Sequence, residues 1–490
     1  MRDFHTWGGL FFGWVLFIVF FTGTLAVFEP EISYWMNPEV RVQNVAASES
    51  LAAAEKALRK NAADADVWFV ILPQGRSSML EISWKKNGQT FDRYIDPATG
   101  EVIKGRGTDG GEFFSHFHYE LHHQHAGSWL VSIAGLGMLG ALISGIMIRR
   151  NVIKDFFCLR WRKNWLSVHM MTGVLALPFV VLITYSGLVM TFKDSMPVSL
   201  NTFYKNPNGY WNEFLDSVER PKSQEKVQIY PLPALLPAAE KELGVGDIGF
   251  VQIQQPDKRN SLINFMRRVD DRMLAITDRA SFDGVTGEWL VSKTKWDTQA
   301  TIVRSLVGLH IGKFGGYPMA WGYFIFGLLG CVMIATGLVF FTVKRRLKYD
   351  LEGGNKRDFF RAAEAVNVAV ITGCIIASIS YLWANRLLPL SLKERADAEI
   401  MAFFFIWLLM FIHAFWRPKE KAWSEQLKLA AGMCICLPLL NILTTSVGLP
   451  KTLVRGDWMT AGVDITAATL GLILWAIAWR LEKRWGKTNC

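Results

Sequence analysis

The chain alternates long apolar stretches with polar segments on a scale that suits a bilayer. The stretches at 10–28, 128–148, 171–192, 320–343, 365–384, 400–416, 430–447 and 460–479 are almost free of charged residues. A helix needs about 20 such residues to cross roughly 30 Å of hydrocarbon. The sixth and seventh are shorter or polar-edged, so the pattern predicts about eight spans. Two long polar segments, about 35–115 and 195–300, alternate with the first four spans. Each opens with a helix-like run, SESLAAAEKALRK or LPALLPAAEKEL, followed by alternating runs such as VWFVIL that read as strands. The predicted fold class is an α-helical polytopic membrane protein with two small α+β extracytoplasmic modules. The organisation reads as a first span (1–34), a first module (35–115), second and third spans (116–194), a second module (195–305), a fourth span (306–350) and an added four-helix bundle (351–490).

The first four spans and the modules form a duplication. Each module ends in D-x-x-T-G-E, which places Gly100 and Gly287 where a tight turn requires positive φ. His5-x-x-x-Gly9 opens the first span and His169-x-x-x-Gly173 the third. Thr22-Gly23 and Ser186-Gly187 follow at one spacing, since 23 − 5 = 18 and 187 − 169 = 18. Leu121-His122 precedes Ser144-Gly145 in the second span, as Leu309-His310 precedes Thr336-Gly337 in the fourth. The unit of helix, module and helix, used twice in one orientation, predicts a pseudo-twofold axis along the membrane normal. The last four spans show no such correspondence.

The net charge of +10 is a topology signal. Arg149, Arg150, Lys154, Arg160, Arg162 and Lys163 fill the loop after the second span, and Lys344, Arg345, Arg346, Lys348, Lys356 and Arg357 follow the fourth. Arg417, Lys419 and Lys421 follow the sixth, and Arg480, Lys483, Arg484 and Lys487 the eighth. Short basic loops stay in the cytoplasm, so both termini are expected inside, the modules outside, and no nucleic-acid partner is needed. The first span lacks a convincing cleavage site and reads as a retained helix. The six cysteines (158, 331, 374, 434, 436 and 490) form no C-x-x-C and avoid the modules, which excludes a disulfide framework there.

This topology sorts the histidines by depth. His5 and His169 fall near the cytoplasmic face, His122 and His310 near the outer face. Two symmetry-related imidazoles can bind one haem iron from both sides, and the chain offers this once per face. Gly9, Gly173 and Ala126 lie at i+4 from their histidines and leave room for a porphyrin, whereas Phe314 follows His310 and breaks the pattern. A lone interfacial histidine is usually only a polar residue at tolerable depth; four at duplicated positions favour two haems. No C-x-x-C-H is present, so the haem would be b-type and non-covalent. The run from His116 to His125 holds more histidines than one haem requires. It reads as a first-row metal site, as support for the haem, or as solvated residues. The recurrence of Leu-His selects His122 as the outer ligand, with His118 the alternative. Gly135, Gly137, Gly140 and Ser144 read as helix-packing residues. His413 reads as interfacial, and Asp464 is an acid near a span's outer end that solvent can reach. Arg267, Arg268, Arg272, Trp289 and Trp296 suit either an anionic aromatic chelate or an exposed basic face.

The segments HTWGGLFFGWVLFIVFFTGTLAVFEPEI, FHYELHHQHAGSW, WLSVHMMTGVLALPFVVLITYSGLV and LHIGKFGG, with the two D-x-x-T-G-E modules, resemble the PepSY-associated transmembrane helix family over about residues 1–350. The resemblance implies PepSY-like periplasmic modules in the bacterial inner membrane. Members of that family include reductases that bind b-type haem and release iron from ferric siderophores, and it matches His5, His122, His169 and His310 to the family's histidines. His123, where relatives often carry an aromatic, departs from the pattern. No G-x-G-x-x-G follows a strand, so reducing equivalents would come from a separate cytoplasmic reductase or from quinol. The other function classes are a membrane-anchored module that binds or regulates peptidases, and a metal transporter with the outer histidines as capture site.

Overall fold

The computed structural model describes residues 1–41, 45–148, 164–191, 202, 214–215, 218, 220–352 and 354–486. The basic loop at 149–163 and Lys487 lie outside them. Among the described residues, eight helices are long and apolar enough to cross a membrane. The chain divides into two compact units, each discontinuous: residues 1–38, 106–191 and 321–490, and residues 39–105 and 192–320.

The second unit holds both modules. The first contributes α3 (Ala47–Asn61), β1 (Val67–Ile71), β2 (Leu80–Lys86) and β3 (Gln89–Ile95). The second contributes α7 (Leu232–Leu243), β4 (Ile248–Gln254), β5 (Leu262–Arg267), β6 (Arg279–Asp283), β7 (Trp289–Lys293) and α8 (Thr298–Ile311). The two modules are fused into one seven-stranded sheet of order β3-β2-β1-β4-β5-β6-β7. The junction pairs the first strand of each repeat antiparallel, with Phe69 opposite Gln252. Equivalent strands paired this way are related by a local twofold axis, and the pairing removes an exposed edge from each module. Strand residues alternate between faces, so Trp68, Val70, Val251, Ile253, Ile263 and Phe265 form one buried layer. It packs under Leu51, Ala54 and Leu58 of α3 and Leu235 and Ala239 of α7.

The two D-x-x-T-G-E turns are built alike. Asp96 Oδ1 accepts the N–H groups of Ala98 and Thr99, and Asp283 Oδ1 those of Val285 and Thr286. Gly100 and Gly287 have φ of +72° and +76°. Asp283 also takes a 2.7 Å ion pair from Arg220.

The membrane unit comprises the spans α1 (Arg2–Ala26), α5 (Gln124–Ile148), α6 (Trp165–Met190), α9 (Gly316–Glu352), α10 (Gly354–Leu387), α11 (Arg395–Trp416), α12 (Lys419–Thr444) and α14 (Trp458–Gly486). Short helices α2 (Glu29–Met36), α4 (Glu112–Glu120) and α13 (Leu449–Arg455) join them. Leu10, Phe17, Met138, Val180, Ile334 and Cys374 belong to one apolar core shared by α1, α5, α6, α9 and α10. Trp14 Nε1 donates to Asn367 at 2.7 Å, and Asn367 donates to the Leu338 carbonyl at 3.1 Å. These bonds tie α10 to both repeats. Gly135, Gly137 and Gly140 admit Leu188, Phe12 and Phe4 respectively, as packing residues should.

Burial works to raise the Asp283 carboxyl, but the Thr286 N–H, Arg220 and the Val285 N–H outweigh it and hold the carboxyl below its ordinary range. A depressed folded value stabilises the turn above the unfolded value of about 3.9, and the contribution is lost as pH falls through the folded value. Hydrogen exchange on the full chain, corrected for intrinsic rate, is therefore expected to show the 279–293 region opening more readily as pH drops from about 5 to 3. Asp283→Asn is expected to open more readily at neutral pH and to show a smaller further change; a wild-type-like profile in that variant would refute the assignment.

Candidate functional site

His5 and His169 come together. Their ring centroids are 6.3 Å apart with an interplanar angle of 65°. His5 Nδ1 lies 3.0 Å from the Ala141 carbonyl and 3.1 Å from Ser144 Oγ on α5. His169 Nδ1 lies 2.8 Å from the Met333 carbonyl on α9. Ser144, read above as a packing residue, is thus also a histidine neighbour.

These carbonyls share a local structure. Each is followed at i+4 by glycine, since 141 + 4 = 145 and 333 + 4 = 337. Helical side chains lean toward the N terminus and cover the turn before their own Cα. Glycine at i+4 therefore uncovers the carbonyl at i. A Cβ on Gly145 would stand 3.3 Å from His5 Cε1, and one on Gly337 3.0 Å from His169 Cε1. The hydroxyl at i+3 bonds the same carbonyl, Ser144 at 3.0 Å and Thr336 at 3.1 Å.

A third histidine repeats the arrangement on α1. His118 of α4 lies with Nδ1 2.8 Å from the Val19 carbonyl. Thr22 Oγ1 donates to that carbonyl at 3.3 Å, and a Cβ on Gly23 would stand 2.6 Å from His118 Nδ1. The fourth copy of the motif lies on α6, where Ser186 Oγ donates to the Ile183 carbonyl at 3.2 Å ahead of Gly187. Val19 follows His5 by 19 − 5 = 14 residues, so the two histidine positions on α1 are about 21 Å apart along the helix.

His122, the outer ligand selected by Leu-His, is placed differently. It is exposed in the turn between α4 and α5 at φ +57°, with its ring 6.3 Å from Phe113 and 5.9 Å from Phe404. The sequence does carry a signal for His118. Measured to the repeat's glycine, 145 − 118 = 27 and 337 − 310 = 27, whereas 145 − 122 = 23. Spacing to the glycine of the following span makes His118 the counterpart of His310; the neighbouring leucine does not. His310 lies in the last turn of α8, in the module unit, ahead of Gly312 at φ +64°. Its helix is anchored there by Arg304, which donates to the Ile276 carbonyl and to Asp278 and stacks on Trp296 at 4.1 Å.

The remaining candidates have other partners. His116 lies between Glu112 and Glu120, 2.8 Å from the latter. The Glu112 bond, then Glu120, outweigh burial and raise its pKa to about 9. His123 and His125 are exposed, and among the described residues no three His, Cys, Asp or Glu side chains converge as a metal site. His413 bonds Glu425 at 2.9 Å. Asp464 is fully buried, not solvated, and accepts from Trp35 at 2.9 Å and Asn441 at 3.0 Å. Arg267 pairs with Asp247 and Asp271, Arg268 with Asp270, and Arg272 with Asp278. Trp296 donates to Asp278, while Trp289 is exposed.

A carbonyl can only accept, so each of the three Nδ1 atoms carries a proton, and in the neutral ring that leaves the lone pair on Nε2. This is the neutral tautomer that ligates metals, with the outer nitrogen oriented by its backbone bond. Two imidazoles on opposite sides of one metal, with bonds of about 2 Å and ring radii of about 1.2 Å, have centroids roughly 6.4 Å apart. The His5–His169 separation of 6.3 Å matches that. Gly9, one turn after His5, faces open space that a Cβ would enter. Neutral imidazoles beside an opening lined by glycine suit haem iron.

No curated protein matches the chain. The model of the PepSY-associated TM region family matches residues 2–344, a segment that holds all four copies of the carbonyl–hydroxyl–glycine motif and both modules. The eight-span chain with its repeated helix–module–helix unit therefore belongs to the PepSY-associated TM region family.

Proposed function

We propose that the chain is a di-haem electron-transfer protein that carries electrons across the cytoplasmic membrane to a ferric chelate on the periplasmic side. The observation that carries this reading is the His5–His169 pair, each ring held through Nδ1 by a carbonyl that glycine uncovers, together with the recurrence of that arrangement at His118 some 14 residues further along α1. In this reading His5 and His169 hold the inner haem, and His118 is a ligand of the outer one. Haem b bound there would supply a one-electron Fe(III)/Fe(II) couple near each face.

The chain's own groups fix the rings and set their basicity. The backbone acceptors select the tautomer and raise the ligating power of Nε2. Leu10, Phe17 and Leu338 keep the region between the two levels apolar, which limits solvent access. The charge asymmetry of the short loops places the His5 end inside. Electrons enter there from a separate cytoplasmic reductase or from quinol and leave at the opposite face. One electron converts Fe(III) to Fe(II), which hard oxygen donors hold less tightly, so a siderophore or similar ferric chelate releases its iron.

Pyridine haemochrome analysis of purified protein is expected to give about two acid-extractable haems per chain. His5→Ala and His169→Ala should each remove one haem and spare the other. His118→Ala should remove the second, His122→Ala neither. Gly23→Ala should disturb only the second, because its new methyl occupies the His118 ring position. Haem-free protein from haem-replete cells would end the reading, and loss with His122→Ala but not His118→Ala would reassign the outer ligand.

The acceptor is tested separately. Anaerobically reduced protein mixed with ferric siderophores should reoxidise while ferrozine captures ferrous iron in equal amount. Haem that stays reduced with every ferric chelate, yet oxidises with a quinone or a disulfide partner, would move the function to another redox pathway.

A further inference from the structure

Helices α10 to α14 lie beyond the family segment, which ends at residue 344. We propose that this added bundle positions the outer histidine: Tyr381, Phe403 and Glu399 act as positioning residues for His118. The proposal rests on His118 being a haem ligand, and the experiment below separates the two.

The starting point is the weakness of α4. It has nine residues, too few for a stable helix in isolation, so its placement comes from what it packs against. Phe113, Phe114 and Phe117 are all buried. Phe113 and Phe117 lie at i and i+4, on one face. That face meets the added bundle. Phe113 lies 4.7 Å from Tyr381 and 5.0 Å from Phe403, and Phe117 lies 5.3 Å from Phe403, 5.6 Å from Phe404 and 6.0 Å from Trp407. His118, next along the helix, projects about 100° away from Phe117 and reaches α1 instead. A nine-residue helix is thus held between the bundle on one side and the Val19 carbonyl on the other.

The start of α4 is held by the same bundle. Tyr381 donates its hydroxyl to the Gly110 carbonyl at 3.0 Å. Thr108 donates to Glu399 Oε2 at 2.5 Å and accepts from the Gly110 N–H at 3.1 Å. Glu399 is itself fixed by Arg395 and by Asn385 Nδ2 at 2.9 Å. Arg106 and Arg395 both donate to the Asn385 carbonyl, at 3.0 and 2.5 Å. Ser33 of α2 accepts the Gly111 N–H at 2.9 Å, and a Cβ on Gly111 would stand 2.4 Å from the Glu29 carbonyl. The segment before α4 therefore has little freedom to shift along or around the helix axis. The inner pair is built on α1, α5, α6 and α9 and makes none of these contacts, which makes it an internal control.

The test uses full-length, haem-loaded Phe403→Ala, Phe403→Leu and Tyr381→Phe, read by redox titration and by the low-spin electron paramagnetic resonance signals of the two haems. Tyr381→Phe is expected to retain both haems and to move the outer haem's signal and potential only. Phe403→Ala should lower outer occupancy at least about twofold with the inner haem unchanged, and Phe403→Leu should restore much of it. An outer haem indistinguishable from wild type in both Tyr381→Phe and Phe403→Ala would overturn the proposal. Parallel changes in both haems in all three variants would do the same, since the bundle would then support the whole unit and not this site. Hydrogen exchange over residues 112–120 gives a readout without haem. Opening at least about tenfold more frequent in Phe403→Ala, with α1 unchanged, supports the positioning role even if wild-type protein contains no haem; unchanged exchange refutes it.

Discussion

The membrane unit depends on a constraint of helix geometry: a carbonyl inside a helix is hidden by the side chain four residues later. In a bilayer such carbonyls are already satisfied by the helix ladder, and nothing compels another group to approach them. This chain opens them at Val19, Ala141 and Met333 by placing glycine at 23, 145 and 337, and a histidine occupies each opening. The serine or threonine before each glycine donates to the same carbonyl, so each of these oxygens is shared by more than one donor. Small residues that elsewhere serve helix packing here create polar docking points. Gly137, which admits the ring of Phe12, shows the packing use in the same helix as Gly145.

Much of this was legible in the sequence. The apolar runs mark eight spans, and the shared D-x-x-T-G-E turns mark two modules whose aspartates fold their loops in the same way. The pairing of Thr22-Gly23 with Ser186-Gly187, and of Ser144-Gly145 with Thr336-Gly337, identified the motif before its function as a docking point could be seen. The fusion of the modules was not legible. Antiparallel pairing of β1 with β4 is a meeting of two edges far apart in the chain, and no local pattern encodes its register. The docking of His118 on the Val19 carbonyl was harder to see, because five histidines crowd residues 116 to 125 and Leu-His recurs at 121–122 and 309–310. Helix α4 was obscured for the same reason: its three phenylalanines are interleaved with histidines, so the segment looks polar while its face is aromatic. Asp464 stood out as a membrane acid, but its partner Trp35 lies 429 residues earlier.

The modules and the membrane helices use the duplication differently. In the sheet, the two copies meet directly through equivalent strands, and Phe69 opposite Gln252 sits at the centre of a five-residue ladder. That contact needs neither copy to be modified, only an unpaired edge on each. In the membrane, His5 of one copy faces His169 of the other while each is anchored on a different helix, α5 or α9. The duplicated geometry is thus retained at this ring pair. His118 and His310, by contrast, are carried differently: His118 rides on a short helix of the membrane unit and His310 on a longer helix of the module unit.

The polar network of that bundle bears on how such support works in lipid. Arg395 and Glu399 are both essentially buried, and burying an ion pair costs more desolvation than it returns unless every charge is fully satisfied. Here Glu399 receives Arg395, Asn385 and Thr108, while Arg395 Nε is buried without a hydrogen-bond partner among the described residues. Arg386 donates to the Trp35 carbonyl, to Asn385 and to Asn441, and its guanidinium lies 3.6 Å from the Trp35 ring. Trp35 in turn donates to Asp464, which also accepts from Asn441. Apolar helices in a bilayer gain little from one register over another, because lipid tails are as apolar as the helices. A hydrogen-bonded polar network favours one register, since sliding by a turn would break several charged contacts at once. The network therefore contributes position more than stability. It fixes the depth of α2 and of the 106–111 segment, and through them the level at which α4 presents His118 to α1.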